Sequence, residues 1–244
     1  MQDRLYQDPE LTQFYDIENG WSDDTRYCLA LSEPGVSVLD LGCGTGLLAA
    51  ALSDRCEVYG VDPAAAMLDV ARARDGGPRV TWIETDARHV RLQRRFDLIV
   101  LTGHAFQVFL SDDDQRVVCE TIAAHLKPGG QFIFDSRNPE CREWLEWTPE
   151  QSRRVIHHPQ FGRIAAWNDV THDAATGIVT YGTFYRADDG RQWQASSRIR
   201  FALKEDIAAR IAEAGLCVHE WLGGWTRSAF TPDSKQIIAL GGLA

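Results

Sequence analysis

The stretch that decides the fold is Val38-Leu39-Asp40-Leu41-Gly42-Cys43-Gly44-Thr45-Gly46-Leu47-Leu48. Four mostly apolar strand residues lead into a turn with a glycine at every second position, and the leucines and alanines that follow predict a helix. Glycine reaches backbone conformations that are closed to other residues, and it leaves no Cβ between the main chain and a ligand. The pattern predicts a nucleotide-type site at the carboxyl end of the first strand of a doubly wound sheet.

Two details of this turn separate one class of cofactor from another. Dinucleotide-binding folds use Gly-x-Gly-x-x-Gly, whereas Gly42, Gly44 and Gly46 are spaced two and two. Asp40 precedes the first glycine by two residues, where its carboxylate would repel a pyrophosphate and attract an ammonium. S-adenosylmethionine carries an ammonium and no phosphate. The stretch resembles motif I of the class I S-adenosylmethionine-dependent methyltransferases; the alternative is an ordinary strand-to-helix turn.

Bulk composition limits the partners. The chain has 244 residues, 44% hydrophobic and 25% charged, as expected of one soluble α/β domain over residues 1–244. A net charge of −10 argues against a nucleic-acid partner. Six cysteines without a Cys-x-x-Cys pair, and no secretory signal, predict reduced thiols in a cytoplasmic protein. No apolar run reaches membrane-spanning length, so no membrane partner is expected. We expect a monomer or a homodimer.

A second acid ends the next predicted strand, Glu57 to Asp62. At that position Asp62 could accept hydrogen bonds from both ribose hydroxyls, or it could simply cap the helix that Pro63 starts. The resemblance favours the ribose role. It also implies an adenine contact for Met67, although a methionine in a helix is more often a core residue.

Two further strands, Arg79 to Glu84 and Phe96 to Thr102, each end in candidate site residues. The resemblance implies that Asp86 and the N–H of Ala87 bind the polar edge of adenine. It also implies that the segment after the fourth strand faces the transferable methyl. His104 in that segment is the best acid/base candidate, although a lone histidine is more often structural. The segment lacks the Asn/Asp-Pro-Pro-aromatic tetrapeptide, which the family uses to hold the nitrogens of bases and glutamine. The resemblance therefore disfavours nucleic-acid bases and glutamine as methyl acceptors.

Leu126-Lys127-Pro128-Gly129-Gly130 before a fifth strand, Gln131 to Asp135, is similar to the same family, so matching motifs run from Val38 to Asp135. From 153 to 203, period-two alternation and two Asp/Gly turns predict an antiparallel β insertion. The resemblance implies that this insertion covers the acceptor site and that residues 1–34 form a cap segment. The expected fold is thus a doubly wound, Rossmann-like, seven-stranded sheet whose last strand is antiparallel, with the β insertion after strand five.

These predictions give two sets of candidate contacts. The candidate cofactor contacts are Tyr15, Trp21, Asp40, Gly42, Cys43, Gly44, Asp62, Pro63, Met67, Asp86, Ala87, Thr102, Gly103 and Phe106. Tyr15 and Trp21 could equally fasten their segment to the core. The candidate acceptor contacts are His104, which is also the candidate catalytic base, Arg137 and Asn138.

The function expected is methyl transfer from S-adenosylmethionine to an oxygen, nitrogen or carbon atom of a small molecule by in-line displacement. No metal is expected, because no His, Cys, Asp or Glu group has ligand spacing. Two rivals remain: a non-catalytic cofactor-binding or scaffold protein of the same fold, and an NAD-dependent oxidoreductase, which the glycine spacing and Asp40 disfavour.

Overall fold

A computed structural model describes residues 3–244 of the chain. The strands in these residues are β1 (Ser37–Leu41), β2 (Glu57–Asp62), β3 (Thr81–Glu84), β4 (Phe96–Leu101), β5 (Leu126–Arg137), β6 (Arg154–His158), β7 (Gly162–Asp173), β8 (Ile178–Ala187), β9 (Gln192–Arg200), β10 (Leu216–Leu222) and β11 (Gln236–Leu243). The α-helices are α1 (Arg4–Gln7), α2 (Pro9–Thr12), α3 (Tyr15–Glu18), α4 (Asp23–Leu31), α5 (Leu47–Leu52), α6 (Ala65–Ala73), α7 (Asp112–His125) and α8 (Lys204–Glu213).

Seven strands form one sheet in the order β10-β11-β5-β4-β1-β2-β3. The pairs from β5 to β3 are parallel, and β11 is antiparallel to both of its neighbours. Every residue of β1 is buried, as expected of a central parallel strand covered on both faces. The order reverses at β1 and β4, so the carboxyl ends of these two strands border the crevice where such sheets bind ligands. The predicted fold class is confirmed.

The fifth strand is longer than its sequence pattern predicted. It begins at Leu126, which pairs with Phe96, and resumes regular pairing where Gln131 lies opposite Leu98. The register shift between these pairs accommodates the Lys-Pro-Gly-Gly segment, in which Gly129 has a φ of 77°. The strand then runs past Asp135 to Arg137 because β11 continues to pair with it there.

The segment before β1 showed no period in the sequence, yet it contains three one-turn helices. Asp3 accepts a hydrogen bond from the N–H of Leu5 and so caps α1, and Asp8 does the same for α2, in which Pro9 is the first residue. Helices of four residues are too short to show a 3.6-residue period, which is why the pattern did not indicate them. The longer helix α4 begins directly after Ser22.

Strands β6 to β9 form a second, fully antiparallel sheet, as predicted for residues 153–203. Its buried face packs on the segment before β1. Phe14 stacks on Tyr185 with ring centroids 4.2 Å apart, and Leu11 belongs to the same core cluster. In addition, Arg154 pairs with Glu18. The N-terminal segment therefore joins the two sheets.

Across residues 3–244, no helix combines the length and hydropathy that crossing a membrane would need. All six cysteines are free; Cys28 and Cys119 are buried, and the other four are partly exposed.

Candidate active site

The glycine-rich turn after β1 is held against the end of β2. The N–H groups of Gly42 and Cys43 both donate to the carbonyl of Val61, at 2.7 and 3.0 Å. Gly42, Gly44 and Gly46 have φ values of 71°, 54° and 73°, in the left-handed region where glycine is favoured. The turn therefore takes a shape that another residue would adopt only with strain.

Gly46 and Gly44 have different neighbours. A Cβ on Gly46 would lie 2.4 Å from the ring of Trp82, so this glycine lets β3 pack under the turn. A Cβ on Gly44 would lie 3.7 Å from the ring of Tyr15, an ordinary contact distance. The ring of Tyr15 on α3 therefore lies next to Gly44. We call Gly42, Gly44 and the Tyr15 ring the glycine cradle.

Asp40 and Asp62 place two buried carboxylates beside this cradle. Burial, together with the nearby carboxylates of Asp62 and Asp24, raises the pKa of Asp40 to about 7. Burial also raises the pKa of Asp62, although hydrogen bonds from the N–H groups of Ala64 (2.8 Å) and Gly44 (2.9 Å) oppose the shift. A carboxylate has about four acceptor positions, so Asp62 keeps about two for a ligand. The pair suits a ligand that brings a cation and hydroxyl donors.

At the end of β3, Asp86 is already engaged. Its carboxylate accepts from the side chain of Arg88 at 2.6 and 2.9 Å and from the Arg88 N–H at 2.8 Å. Arg88 also donates to Asp114 at 2.6 Å, so it bridges the two carboxylates. Ala87 is buried beside it. The adenine contacts of Asp86 and Ala87 stay predictions, and Asp86 would make its contact while paired with Arg88.

Two of the predicted cofactor contacts lie inside the protein. Phe106 is 0% exposed and stacks on Phe134 with centroids 4.4 Å apart, so it supports the loop after β4 from below. The cofactor contact of Phe106 stays a prediction, and in this structure its ring is covered. Met67 is 1% exposed on the buried face of α6, and its adenine contact stays a prediction.

The remaining predicted cofactor residues include Pro63, Thr102, Gly103 and Trp21. The carbonyl of Pro63 accepts a hydrogen bond from the side-chain amide of Gln7, at 2.9 Å. Thr102 and Gly103 follow β4, and Gly103 has a φ of 67° with open space where a Cβ would stand. Trp21 is 39% exposed before α4.

Tyrosines from distant parts of the chain meet Tyr15. The rings of Tyr6 and Tyr15 lie edge to face with centroids 6.2 Å apart, and the hydroxyls of Tyr6 and Tyr181 are 3.4 Å apart. Burial raises the pKa of all three phenols, which keeps them neutral. The sequence did not indicate Tyr6 or Tyr181 as site residues, because nothing local relates positions so far apart.

His104 and Asp135 meet where β4 and β5 end. The Asp135 side chain is 1% exposed, and its Oδ2 lies 3.3 Å from Nε2 of His104. Its Oδ1 accepts a hydrogen bond from the His104 N–H at 3.0 Å. His104 has a φ of 60°, which is uncommon for a residue other than glycine. The structure thus adds Asp135 to the site; as the acid that ends an apolar strand beside β4, it could have been found from the strand order.

The two other predicted acceptor residues have different surroundings. Arg137 donates to Gln107 Oε1 at 3.0 Å, and its guanidinium lies 5.2 Å from the ring centre of Trp147. Asn138 donates both amide hydrogens to the carbonyls of Pro232 and Ser234. It is buried, so Asn138 anchors the 232–234 loop, and the acceptor contact expected for it stays a prediction.

The comparisons with known proteins agree with this arrangement. A family model described as a methyltransferase domain matches residues 38–130, the part that holds the glycine turn and the predicted strand-end acids of β2 and β3. Residues 38–130 of this chain are thus similar to a methyltransferase domain, as the resemblance to the class I S-adenosylmethionine-dependent methyltransferases implied. The predicted family is thus confirmed, and the cradle and its acids are those of a methyltransferase domain.

Two curated relatives and one solved structure show how much of the chain is similar to known proteins. A cypemycin N-terminal methyltransferase of a Streptomyces species is 32% identical over 106 residues, 43% of each chain. A ubiquinone biosynthesis O-methyltransferase of Idiomarina loihiensis is 34% identical over 118 residues, 46% of each chain. The chain thus spans less than half the length of these curated relatives. The solved CcbJ methyltransferase of Streptomyces caelestis shares the fold, with a TM-score of 0.78, 21% identity and coverage of 96% of this chain and 97% of that one.

Proposed function

We propose that this chain transfers a methyl group from S-adenosylmethionine to a small-molecule acceptor. The observation that carries the proposal is the pair of buried acids around the glycine cradle: Asp40, whose pKa is raised to about 7, and Asp62. An ammonium would offset the cost of ionising Asp40, and ribose hydroxyls would use the open acceptor positions of Asp62. A pyrophosphate would add negative charge beside two carboxylates.

The residues present fit this cofactor. Gly42 and Gly44 bring the main chain close to the cradle, and Tyr15 closes it from above. Asp86 with Ala87 would border the adenine, and Thr102 and Gly103 would border the reactive end. When bound, the cofactor supplies a methyl group on a sulfonium, which needs little activation. The chain's own task is then to position the acceptor and exclude water.

The acceptor side is polar and aromatic. Tyr6, Tyr181, Trp147 and Arg137 come together there, and His104 lies at its base. Neutral phenols and an indole bind apolar and cationic groups, whereas Arg137 is already paired with Glu143 and Gln107. We infer an acceptor whose oxygen or nitrogen carries a removable proton. The names of the two relatives support nitrogen and oxygen as acceptor atoms, since one is an N-terminal methyltransferase and the other is an O-methyltransferase.

We place this activity in the cytoplasm, on the support of the free cysteines. The second sheet, which adjoins the loop after β4 through a hydrogen bond from Gln107 to the carbonyl of Arg200 (3.0 Å), would cover the bound acceptor. Together with the N-terminal segment it would keep water from the reacting atoms.

Calorimetric titration tests the cofactor. We expect binding of S-adenosylmethionine and of its demethylated product, and none of NAD. Tight binding of NAD alone would overturn the proposal. A metabolite panel with a labelled methyl donor then tests catalysis; binding without incorporation into any acceptor would favour a non-catalytic protein of this fold.

A further inference from the structure

The base of the acceptor site holds two buried polar atoms that face each other. Nε2 of His104 and Oδ2 of Asp135 are 3.3 Å apart, and within residues 3–244 neither has a hydrogen-bond partner. A buried polar atom without a hydrogen-bond partner is destabilising, so two of them at one place call for an explanation.

The backbone brings these atoms together at a further cost. His104 is held at a φ of 60° by the hydrogen bond from its N–H to Asp135 Oδ1. A left-handed conformation is unfavourable for a residue with a side chain. The same carboxylate therefore fixes the backbone of His104 with one oxygen and faces its ring with the other.

From this geometry, and building on the proposed methyltransferase function, we propose that Asp135 is a positioning residue that makes His104 a general base. A proton on Nε2 would be donated to Asp135 Oδ2 after a small ring rotation. That leaves the lone pair on Nδ1, and because Nε2 is buried while the side chain is 20% exposed, Nδ1 is the nitrogen open to the acceptor.

The proton balance is simple. As the acceptor nitrogen or oxygen bonds to the methyl carbon, the bond from that carbon to the sulfonium sulfur would break with its electron pair staying on sulfur, and the acceptor's own N–H or O–H bond breaks. The proton goes to Nδ1, and the electron pair of the broken bond stays on the acceptor atom. The resulting imidazolium is stabilised by the carboxylate of Asp135, and it returns to the neutral form by losing the proton to water after the product leaves.

The charges around the pair favour a neutral imidazole at rest. Burial, and then the guanidinium of Arg137, lower the pKa of His104 well below its usual value. Burial raises the pKa of Asp135 to about 7; Asp24 on α4 adds to the shift, whereas the His104 N–H and Arg137 oppose it. The buried Cys28 thiol of α4 also lies near Asp135. Below pH about 7 the pair gains a proton, so kcat/KM is expected to fall as the pH is lowered through this range.

The tautomer of His104 is the direct test, and it needs no substrate. In protein labelled with ¹⁵N-histidine, we expect the Nε2–H form for His104, identified by the signal lost in His104→Gln. Asp135→Asn presents an amide that can donate to Nε2, so it should shift His104 to the Nδ1–H form and lower turnover by about 10²-fold or more. Affinity for the demethylated cofactor should change little.

Asp97→Asn is the matched control, because Asp97 lies at the opposite end of β4 and pairs with Ser37 and Lys127. It should change neither the tautomer nor turnover. An Nδ1–H form in the unaltered protein, or near-normal turnover in a folded Asp135→Asn protein, would overturn the pairing while leaving the proposed function standing. If Asp135→Asn does not fold, the tautomer of the unaltered protein still decides. Failure of every acceptor to be methylated would count against the proposed function and leave the tautomer result intact.

Discussion

Asp40 should make cofactor affinity depend on pH. Its pKa in the free protein is raised to about 7 by burial and by the neighbouring carboxylates of Asp62 and Asp24. If only the ionised form receives the cofactor's ammonium, about one molecule in eleven is competent at pH 6 and about ten in eleven at pH 8. The apparent Kd for S-adenosylmethionine should therefore be about tenfold higher at pH 6, or about 1.4 kcal/mol.

Calorimetry at pH 6, 7 and 8 measures this shift. At pH 7, binding should release about half a proton per cofactor, which is obtained by repeating the titration in buffers of different ionisation enthalpy. Asp40→Asn should bind more weakly at pH 8, and its remaining pH dependence should be that of the ligand alone. The same Kd at pH 6 and pH 8 in the unaltered protein would refute the assignment of Asp40 to the ammonium.

The same substitution should act on stability in the opposite direction. Folding raises the pKa of Asp40 above the usual 3.8, so it disfavours the ionised form. This cost is absent below pH about 4, grows as the pH rises through the shifted value, and is complete above it. Asp40→Asn should then raise the free energy of unfolding of the free protein at pH 8 by up to about 4 kcal/mol, measured by urea unfolding. A variant that binds more weakly yet unfolds at higher urea would separate a ligand role from a structural one.

Three further substitutions test other parts of the site. Asp62→Ala should weaken S-adenosylmethionine binding by about 1.5–3 kcal/mol in calorimetry, since hydrogen bonds to a charged acceptor are lost; unchanged affinity would mean that Asp62 does not hold the ribose. His104→Ala should keep cofactor affinity but lower turnover by about 10²-fold or more. The control His157→Ala, at an exposed position, should change neither cofactor affinity nor turnover. Phe106→Ala should lower the free energy of unfolding by about 3–5 kcal/mol, because it leaves a cavity in the core; a stable variant with weak cofactor binding would favour a direct cofactor contact instead.

Local patterns in the sequence were enough to predict the glycine turn and the strand-end acid on the cofactor side, and also the second sheet. The turn at Gly42–Gly46 and the acid at Asp62 follow from neighbours in the chain, and the alternation that ends at Phe201 gave the second sheet. Packing was not predictable in the same way. Phe106 looks like a rim residue by position, but its ring turns inward onto Phe134, a choice that depends on a residue of another strand.

The acceptor half depended on contacts between distant positions. Asn138 has the residue type of a ligand contact, yet it is consumed by carbonyls some 94 and 96 positions away. The meeting of Tyr6 with Tyr181 spans 175 positions. Neither could be read from spacing, because chain proximity carries no information about such pairs.

The contacts between the N-terminal segment and the second sheet have a consequence for the order in which the protein folds. Glu18 and Arg154 are 136 positions apart, and the five parallel strands β1 to β5 of the seven-stranded sheet lie between them in the chain. Bringing such distant segments together costs chain entropy that neighbouring strands do not incur, so their contacts form late. The parallel strands β1 to β5 can therefore assemble while the acceptor side is still open. By the same reasoning the acceptor side would be the first part to come apart, and a molecule that has lost it would still carry the glycine turn with Asp40 and Asp62, but not Tyr15 in its place over the turn.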